Sequence, residues 1–239
     1  MPYYIIKKDD ELYHYGVPGM KWGVRRAAKL QAKANMHRDW AKDYDPKDYI
    51  GRKPLSEKAK AKMKKAYDRN MATADKYQQK ANAKVAKRYA KAGKKEGQAA
   101  YERDMGDQAY KKHDTNAKVF DKAAKNYDAQ GKVFKAEAAR KAAAAIRSRG
   151  ENIRADRYKT ADAYMKRSNK LNQKAKDFAS KANIDIGKNK VNAILKASKE
   201  TGYQNQKAGE QAVQEVRTRQ KLGKDGYAIY NQIRRGRSY

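Results

Sequence analysis

Between Ser56 and Ala92 the apolar and aromatic side chains recur at steps of three or four, at Tyr67, Met71, Ala74, Tyr77, Ala81, Val85 and Tyr89. That spacing draws one stripe down a helix. Ser56 is placed to cap its start, Glu57 suits the positive end of the helix dipole, and Gly93 stands where a left-handed C-terminal residue is expected. A second stripe, Phe120, Ala124, Tyr127, Gly131, Phe134, Ala138 and Ala142, follows the capping candidates Asp114 and Thr115 and predicts a helix running to Gly150, with steps close to a heptad. A third, Tyr158, Ala161, Met165, Ser168, Leu171, Ala175, Phe178 and Ala182, stops at a break predicted for Asn183 to Lys188. Val191, Ile194 and Leu195 then predict a short helix, and Tyr203 to Leu222 another that Gly223 ends. Asp225-Gly226 reads as a turn before a last amphipathic segment with Tyr227, Tyr230 and Ile233. Thr73–Tyr77 and Thr160–Tyr164 nearly match, with Thr115–Val119 between them; a degenerate helical repeat and low complexity both account for this.

Composition fits helices better than strands. Ala, Lys, Gln, Arg and Met favour helix, and Pro is confined to positions 2, 18, 46 and 54. Leu, Ile, Val and Phe number only 27 of 239 residues, whereas Ala alone supplies 40, so the apolar stripes are narrow. The predicted fold class is all-α: long amphipathic helices in loose hairpins or a coiled-coil-like bundle, with a small non-helical N-terminal motif. The expected organisation is an N-terminal docking motif over 1–26, a short helix and linker over 27–54, a basic Ala/Lys-rich helical region over 55–186, and C-terminal helices with a basic tail over 187–239.

Charge narrows the function classes. Lys and Arg number 59 against 27 acids, a formal charge of +32, which repels itself unless a polyanion or an acidic partner neutralises it. Lys53, Lys58, Lys60, Lys62, Lys64 and Lys65 form a dense run, echoed by Lys84, Lys87, Arg88, Lys91, Lys94 and Lys95. Lysines spread around a helix suit phosphates, which they bind by charge and counterion release without reading bases. Solubility and acidic protein surfaces are the competing explanations. Tyr67, Tyr77 and Tyr89 could stack on single strands, but their regular spacing is better explained by packing.

Catalytic chemistry finds no foothold in the sequence. Zero Cys excludes a thiolate metal site and a cysteine nucleophile. His14, His37 and His113 are far apart and lack metal-ligand spacing, so neither a metal nor a cofactor is expected. Gly93 to Gly97 superficially suggests a phosphate loop, but without the following Lys-Ser/Thr it reads as a helix break. Acids such as Asp104, Asp107, Glu137 and Asp162 read as local charge balance on helices. No apolar run reaches membrane-spanning length, so membrane insertion is not expected.

The first 26 residues have a different texture. Residues 2–7 and 11–15 flank Lys8-Asp-Asp10 in a pattern compatible with a small hairpin, and Pro18-Gly19 suits the centre of a type II turn. Tyr13, Tyr15, Met20 and Trp22 would gather around that turn, with Lys21, Arg25 and Arg26 on its edge. The run His14, Tyr15, Gly16, Val17, Pro18, Gly19, Met20, Lys21, Trp22, Gly23, Val24, Arg25, Arg26 resembles an H-Y-G-x-x-G-M-K-W-G-x-R-R element of bacteriophage and prophage proteins of Gram-positive bacteria. There the element stands near the start of Ala- and Lys-rich helical proteins or is attached to head proteins. The resemblance covers 13 of 239 residues and implies phage origin and a virion-related role, without identifying an activity.

Together these readings lead to a non-enzymatic virion-associated protein, found in the virion and in the host cytoplasm during assembly. Its N-terminal motif is expected to dock to a capsid, portal or tail component, with Trp22 and Met20 as anchors, or else to cap the first helical hairpin. Its basic helices are expected to contact packaged DNA through phosphates, and self-association is compatible with this picture. The alternatives are a structural protein bridging virion subunits without DNA and a packaged effector or enzyme delivered to the host.

Overall fold

A computed structural model describes residues 22–47, 49 and 54–234, with backbone only for Trp22 and 222–234. Within them run four α-helices: α1 (Trp22–Lys42), α2 (Glu57–Ala129), α3 (Val133–Lys181) and α4 (Lys188–Arg234). The fold is all-α, and no strand occurs among the described residues. The described residues form two compact units, one within 22–90 and 170–194, the other within 91–169 and 195–234.

The first unit is stitched by alanines seven residues apart. Ala27, Ala34 and Ala41 of α1 are fully buried, as are Ala74 and Ala81 of α2, and Ala175 and Ala182 of α3 are at most 1% exposed. A seven-residue period keeps one narrow seam facing a neighbouring helix, and a methyl group at each seam position lets backbones approach closely. The predicted stripe of α2 is only partly interior: Ala74, Ala81, Val85 and Tyr89 are buried, whereas Tyr67, Met71 and Tyr77 are half-buried. Val85 is the largest fully buried side chain.

In the second unit the seams are tighter still. Ala92, Ala99 and Gly106 of α2 are again seven apart, as are Ala136, Ala143 and Gly150 of α3, and all six are buried. Against α4 the backbones nearly touch. A Cβ added to Gly97 would lie 1.9 Å from the Lys199 carbonyl oxygen, one added to Gly202 would lie 2.2 Å from that of Lys94, and one added to Gly93 would lie 2.7 Å from that of Leu195. Ser168 donates its hydroxyl hydrogen to the Ala92 carbonyl at 2.9 Å, so a buried polar group here is satisfied.

This packing corrects several boundaries read from the sequence. Gly93 does not terminate a helix and Gly93 to Gly97 is not a break: both glycines lie inside α2, where the missing side chain admits α4. Asp114 and Thr115 are mid-helix, and Gly150 is interior to α3, its place in contact with His113. The break falls instead at Gly131, taken above as part of a stripe. Its φ of +67° is a conformation that glycine adopts without a Cβ clash, and the Lys132 amide returns to the Tyr127 carbonyl at 2.9 Å. The second stripe therefore divides between two helices; Phe134 is 90% exposed and Phe120 is exposed as well.

The predicted break after Ala182 is present. Asn183 adopts φ 53° and Gly187 φ 75°, the Ile184 amide reaches back to the Ala179 carbonyl at 2.9 Å, and α4 begins at Lys188. Helix α4 then continues through Gly223 and Gly226 to Arg234, with no turn at Asp225-Gly226. At the other end, Trp22 to Arg26 form the first turn of α1 rather than the edge of a non-helical turn, while the proposed hairpin and the Pro18-Gly19 turn lie outside the described residues.

Substituting Gly97 by Ala should destabilise the fold by about 1–3 kcal/mol in urea denaturation, because the new methyl meets backbone atoms that cannot yield without moving a helix. Gly209 is the control: an added Cβ there meets nothing within 4 Å. Gly209→Ala should stabilise by about 0.5–1 kcal/mol, since glycine weakens a helix interior.

Candidate nucleic-acid interface

The dense lysine run opens α2. Ser56 caps it as expected, its hydroxyl oxygen accepting the Ala59 amide at 3.3 Å and its carbonyl accepting the Lys60 amide at 2.9 Å. On the following turns Lys58, Lys62 and Lys65 share one face, at steps of four and three, and Lys60 and Lys64 share another. All five are exposed. Only Lys60 among them has an ion-pair partner among the described residues, Glu57 at 2.8 Å. Lys53 lies outside the described residues.

The second basic group is less uniform. Lys87, Lys91 and Lys94 are exposed, and Lys84 is half-buried. Arg88 is not a free cation: its guanidinium lies 3.4 Å from the centre of the Phe178 ring and donates to the Lys84 carbonyl at 3.2 Å. Burial lowers its pKa from the ordinary arginine value. Lys95 bonds Gln98 at 2.8 Å and lies 5.0 Å from the centre of the Tyr164 ring. The exposed lysine run is thus intact on α2, whereas Arg88 and Lys95 are used in packing.

Of the N-terminal docking residues, Gly23, Arg25 and Arg26 are described with their surroundings, and only the backbone of Trp22 is; His14, Tyr15, Gly16, Gly19, Met20 and Lys21 lie outside the described residues. Gly23 sits under the Arg88–Phe178 pair, where an added Cβ would be 3.1 Å from Arg88 Nη2. Val24 is buried beside it and Arg26 is exposed.

Acids and arginines of the second unit follow a period of their own. In the second unit Asp107, Asp114, Asp121 and Asp128 recur every seven residues on α2, opposite Arg140, Arg147 and Arg154, which recur every seven on α3. Arg154 pairs with Asp107 at 2.8 Å, Arg147 with Asp114 at 3.3 Å and with Asp121, and Arg140 with Asp128. Such half-exposed pairs add little energy singly, but their period matches the alanine seam and favours one antiparallel register. Sequence reasoning took Asp107 for local charge balance and Asp114 for a cap, and missed the ladder. Its signal was the seven-residue recurrence of Asp and Arg.

Helix α4 is fastened by the most buried charges. Glu102, 3% exposed, accepts from Arg157 at 2.6 Å and from Gln206 at 3.0 Å. Glu210 accepts from the same guanidinium, and from the Tyr101 hydroxyl at 3.1 Å. Burial acts to raise the Glu210 pKa, but the Arg157 bond and charge outweigh it and leave the carboxyl below its ordinary value. Burial first, and then the bond to Glu210, push the Tyr101 hydroxyl up to about 12. A groove of about 430 Å³ beside this network is lined by Arg157, Gln206, Gly209, Glu210, Val213, Gln214 and Arg217.

No group of three or more His, Cys, Asp or Glu side chains among the described residues is placed to hold a metal ion. No helix among them is long and apolar enough to cross a membrane. The described chain is thus an all-α, alanine-seamed protein with lysines on its outside. A family model with the description "Family of unknown function (DUF7211)" matches residues 6–29, the stretch that holds the N-terminal motif. No curated protein and no solved structure matches the chain.

The α4 fastening should titrate at both ends of the pH scale. A depressed carboxylate stabilises fully above its unfolded value of about 4.3 and less as pH falls through the folded value; a raised phenol stabilises fully below about 10 and less as pH rises beyond it. Glu210→Gln should cost about 1–3 kcal/mol near neutral pH. Urea denaturation across the acid range should show this difference shrinking, and stability of the unmodified protein should fall as alkaline pH approaches the Tyr101 value of about 12.

Proposed function

We propose that this is a non-enzymatic, virion-associated phage protein that docks through its N-terminal motif to a capsid, portal or tail component and contacts packaged DNA through the basic start of α2. The observation that carries the DNA half of this reading is the exposed run Lys58, Lys60, Lys62, Lys64 and Lys65, with a single ion pair among the five. A polyanion neutralises such a surface without a base-reading element, because condensed counterions are released as lysines take their place. The docking half rests on the resemblance of residues 14–26 to the phage element; these residues fall within the 6–29 stretch that the family model of unknown function matches. The virion, and the host cytoplasm during assembly, are the compartments this reading implies.

A second reading has its own support. Gly23 and Val24 are packed at the base of α1, against Arg88 and Phe178 in the case of Gly23. That suits a cap which completes the first unit, in a protein that bridges virion subunits without touching DNA.

Binding to duplex DNA of varied sequence separates the two. Phosphate contact predicts affinities that vary little with sequence and fall steeply with salt. Replacing Lys58, Lys60, Lys62, Lys64 and Lys65 by Gln should weaken binding and flatten the slope of log K against log salt by about 0.9 for each phosphate contact removed. Absence of duplex binding at moderate salt would favour the bridging reading. Docking predicts that Trp22→Ala and Gly19→Val proteins stay helical yet are strongly depleted from purified virions by quantitative mass spectrometry; loss of helicity would point to the cap instead.

A further inference from the structure

Large side chains left outside the seams are not scattered evenly. Trp40 is 39% exposed, Tyr44 43% and Tyr49 45%, three aromatic residues within ten positions at the end of α1 and in the segment after it. The fold itself does not call for them. Ala34 and Ala41 fill the buried seam of α1 at these levels.

These rings lie beside the lysine run. Helices α1 and α2 are antiparallel: Gly23 meets Arg88, Gln31 bonds Gln78 at 2.9 Å, and the His37 ring lies 3.4 Å from the Asn70 side-chain oxygen. Continuing that register brings the end of α1 to about the level of Lys65, so Trp40 lies roughly level with Tyr67, next to the C-terminal end of the lysine run, and Tyr44 follows it. Trp40 is also held in place. His37 packs edge-on against it with ring centres 5.0 Å apart, and His37 itself stacks on Tyr77 at 5.7 Å. A ring fixed on one side and open on the other loses little freedom when a flat partner settles on it.

The neighbouring acids weaken this field only in part. Asp39 pairs with Lys42 at 3.0 Å and Glu57 with Lys60. Among the described residues Asp43, Asp45 and Asp68 remain, against Lys47, Lys58, Lys62, Lys64, Lys65 and Arg69. A cationic helix flanked by open aromatic rings has the two features that single-stranded polynucleotides require, charge for the backbone and faces for unpaired bases. Duplex DNA, whose bases are already stacked, uses only the first.

We infer that Trp40 and Tyr44, next to the α2 lysines, together with the exposed Tyr49 of the segment that follows, bind single-stranded DNA by stacking bases on the rings. This rests on the DNA-contact reading above and names the form of DNA that the site prefers.

The test uses the full chain, a labelled oligothymidylate of about twenty nucleotides and a duplex of equal length, at one moderate salt concentration. The protein carrying Trp40→Ala, Tyr44→Ala and Tyr49→Ala should lose about tenfold or more of its affinity for the single strand and less than about twofold for the duplex, with an unchanged salt slope. In a Trp22→Phe background, where Trp40 is the sole tryptophan, the single strand should quench its fluorescence to saturation. A Trp40→Phe, Tyr44→Phe, Tyr49→Phe protein keeps the rings and should bind the single strand nearly as the unmodified protein does, which guards against a folding defect in the alanine variant. The inference is overturned if single strand and duplex lose affinity equally, if the rings are dispensable, if polyglutamate competes as well as the oligonucleotide, or if an oligouridylate of the same length binds more tightly. Duplex binding that depends on the lysines but shows no effect of the rings sinks this inference alone, whereas failure to bind either form sinks the DNA-contact reading with it.

Discussion

Backbone-to-backbone approach between helices is the constraint from which the other features follow. Where Gly97 meets the Lys199 carbonyl and Gly202 meets that of Lys94, there is no space for even a methyl group. Along the remaining seams, space is left for alanine every seventh residue. Among the described residues Val85 is the largest side chain to be fully buried. Some larger side chains, among them Tyr89, Tyr101 and Phe178, are buried with a small residual exposure, and others lie at the margins, half-buried like Tyr67 and Tyr77 or exposed like Trp40 and Phe134.

A seam of methyl groups says little about which helix should pair with which, because one alanine resembles the next. Charge supplies the missing discrimination. The basic residues divide the work by chemistry: arginines 140, 147, 154 and 157 reach across to carboxylates, using a planar fork that can engage two partners at once, while the lysines of early α2 remain in solvent. The net charge of +32, set by 59 basic against 27 acidic residues whatever their pairing, suits a polyanionic partner.

The helical character was legible because it depends on local propensity and period, which the sequence displays directly. The third stripe, Tyr158 to Ala182, and the stop after it correspond to the end of α3. Glycine was where the reading failed. Gly93, Gly150 and Gly131 look alike in sequence, yet two are places where another chain segment comes close and one is a turn; only the partner's position tells them apart. The same holds for Arg88, which reads as part of a basic run until Phe178 is seen beneath it. The lysine run of α2 needed no partner to be recognised, and it stands exposed as read. Trp40, Tyr44 and Tyr49 carry no period, so nothing in the sequence separates them from ordinary half-buried aromatics; their exposure is a fact of packing.

An interior made of methyl groups also governs the response to temperature. The heat-capacity change of unfolding grows with the apolar surface newly hydrated, and alanine and glycine seams have little such surface to release. The usual dome of stability against temperature arises from that increment, and when it is small the dome flattens. Warming then weakens this protein gradually, mainly through chain entropy, and cooling removes little hydrophobic driving force because little was present.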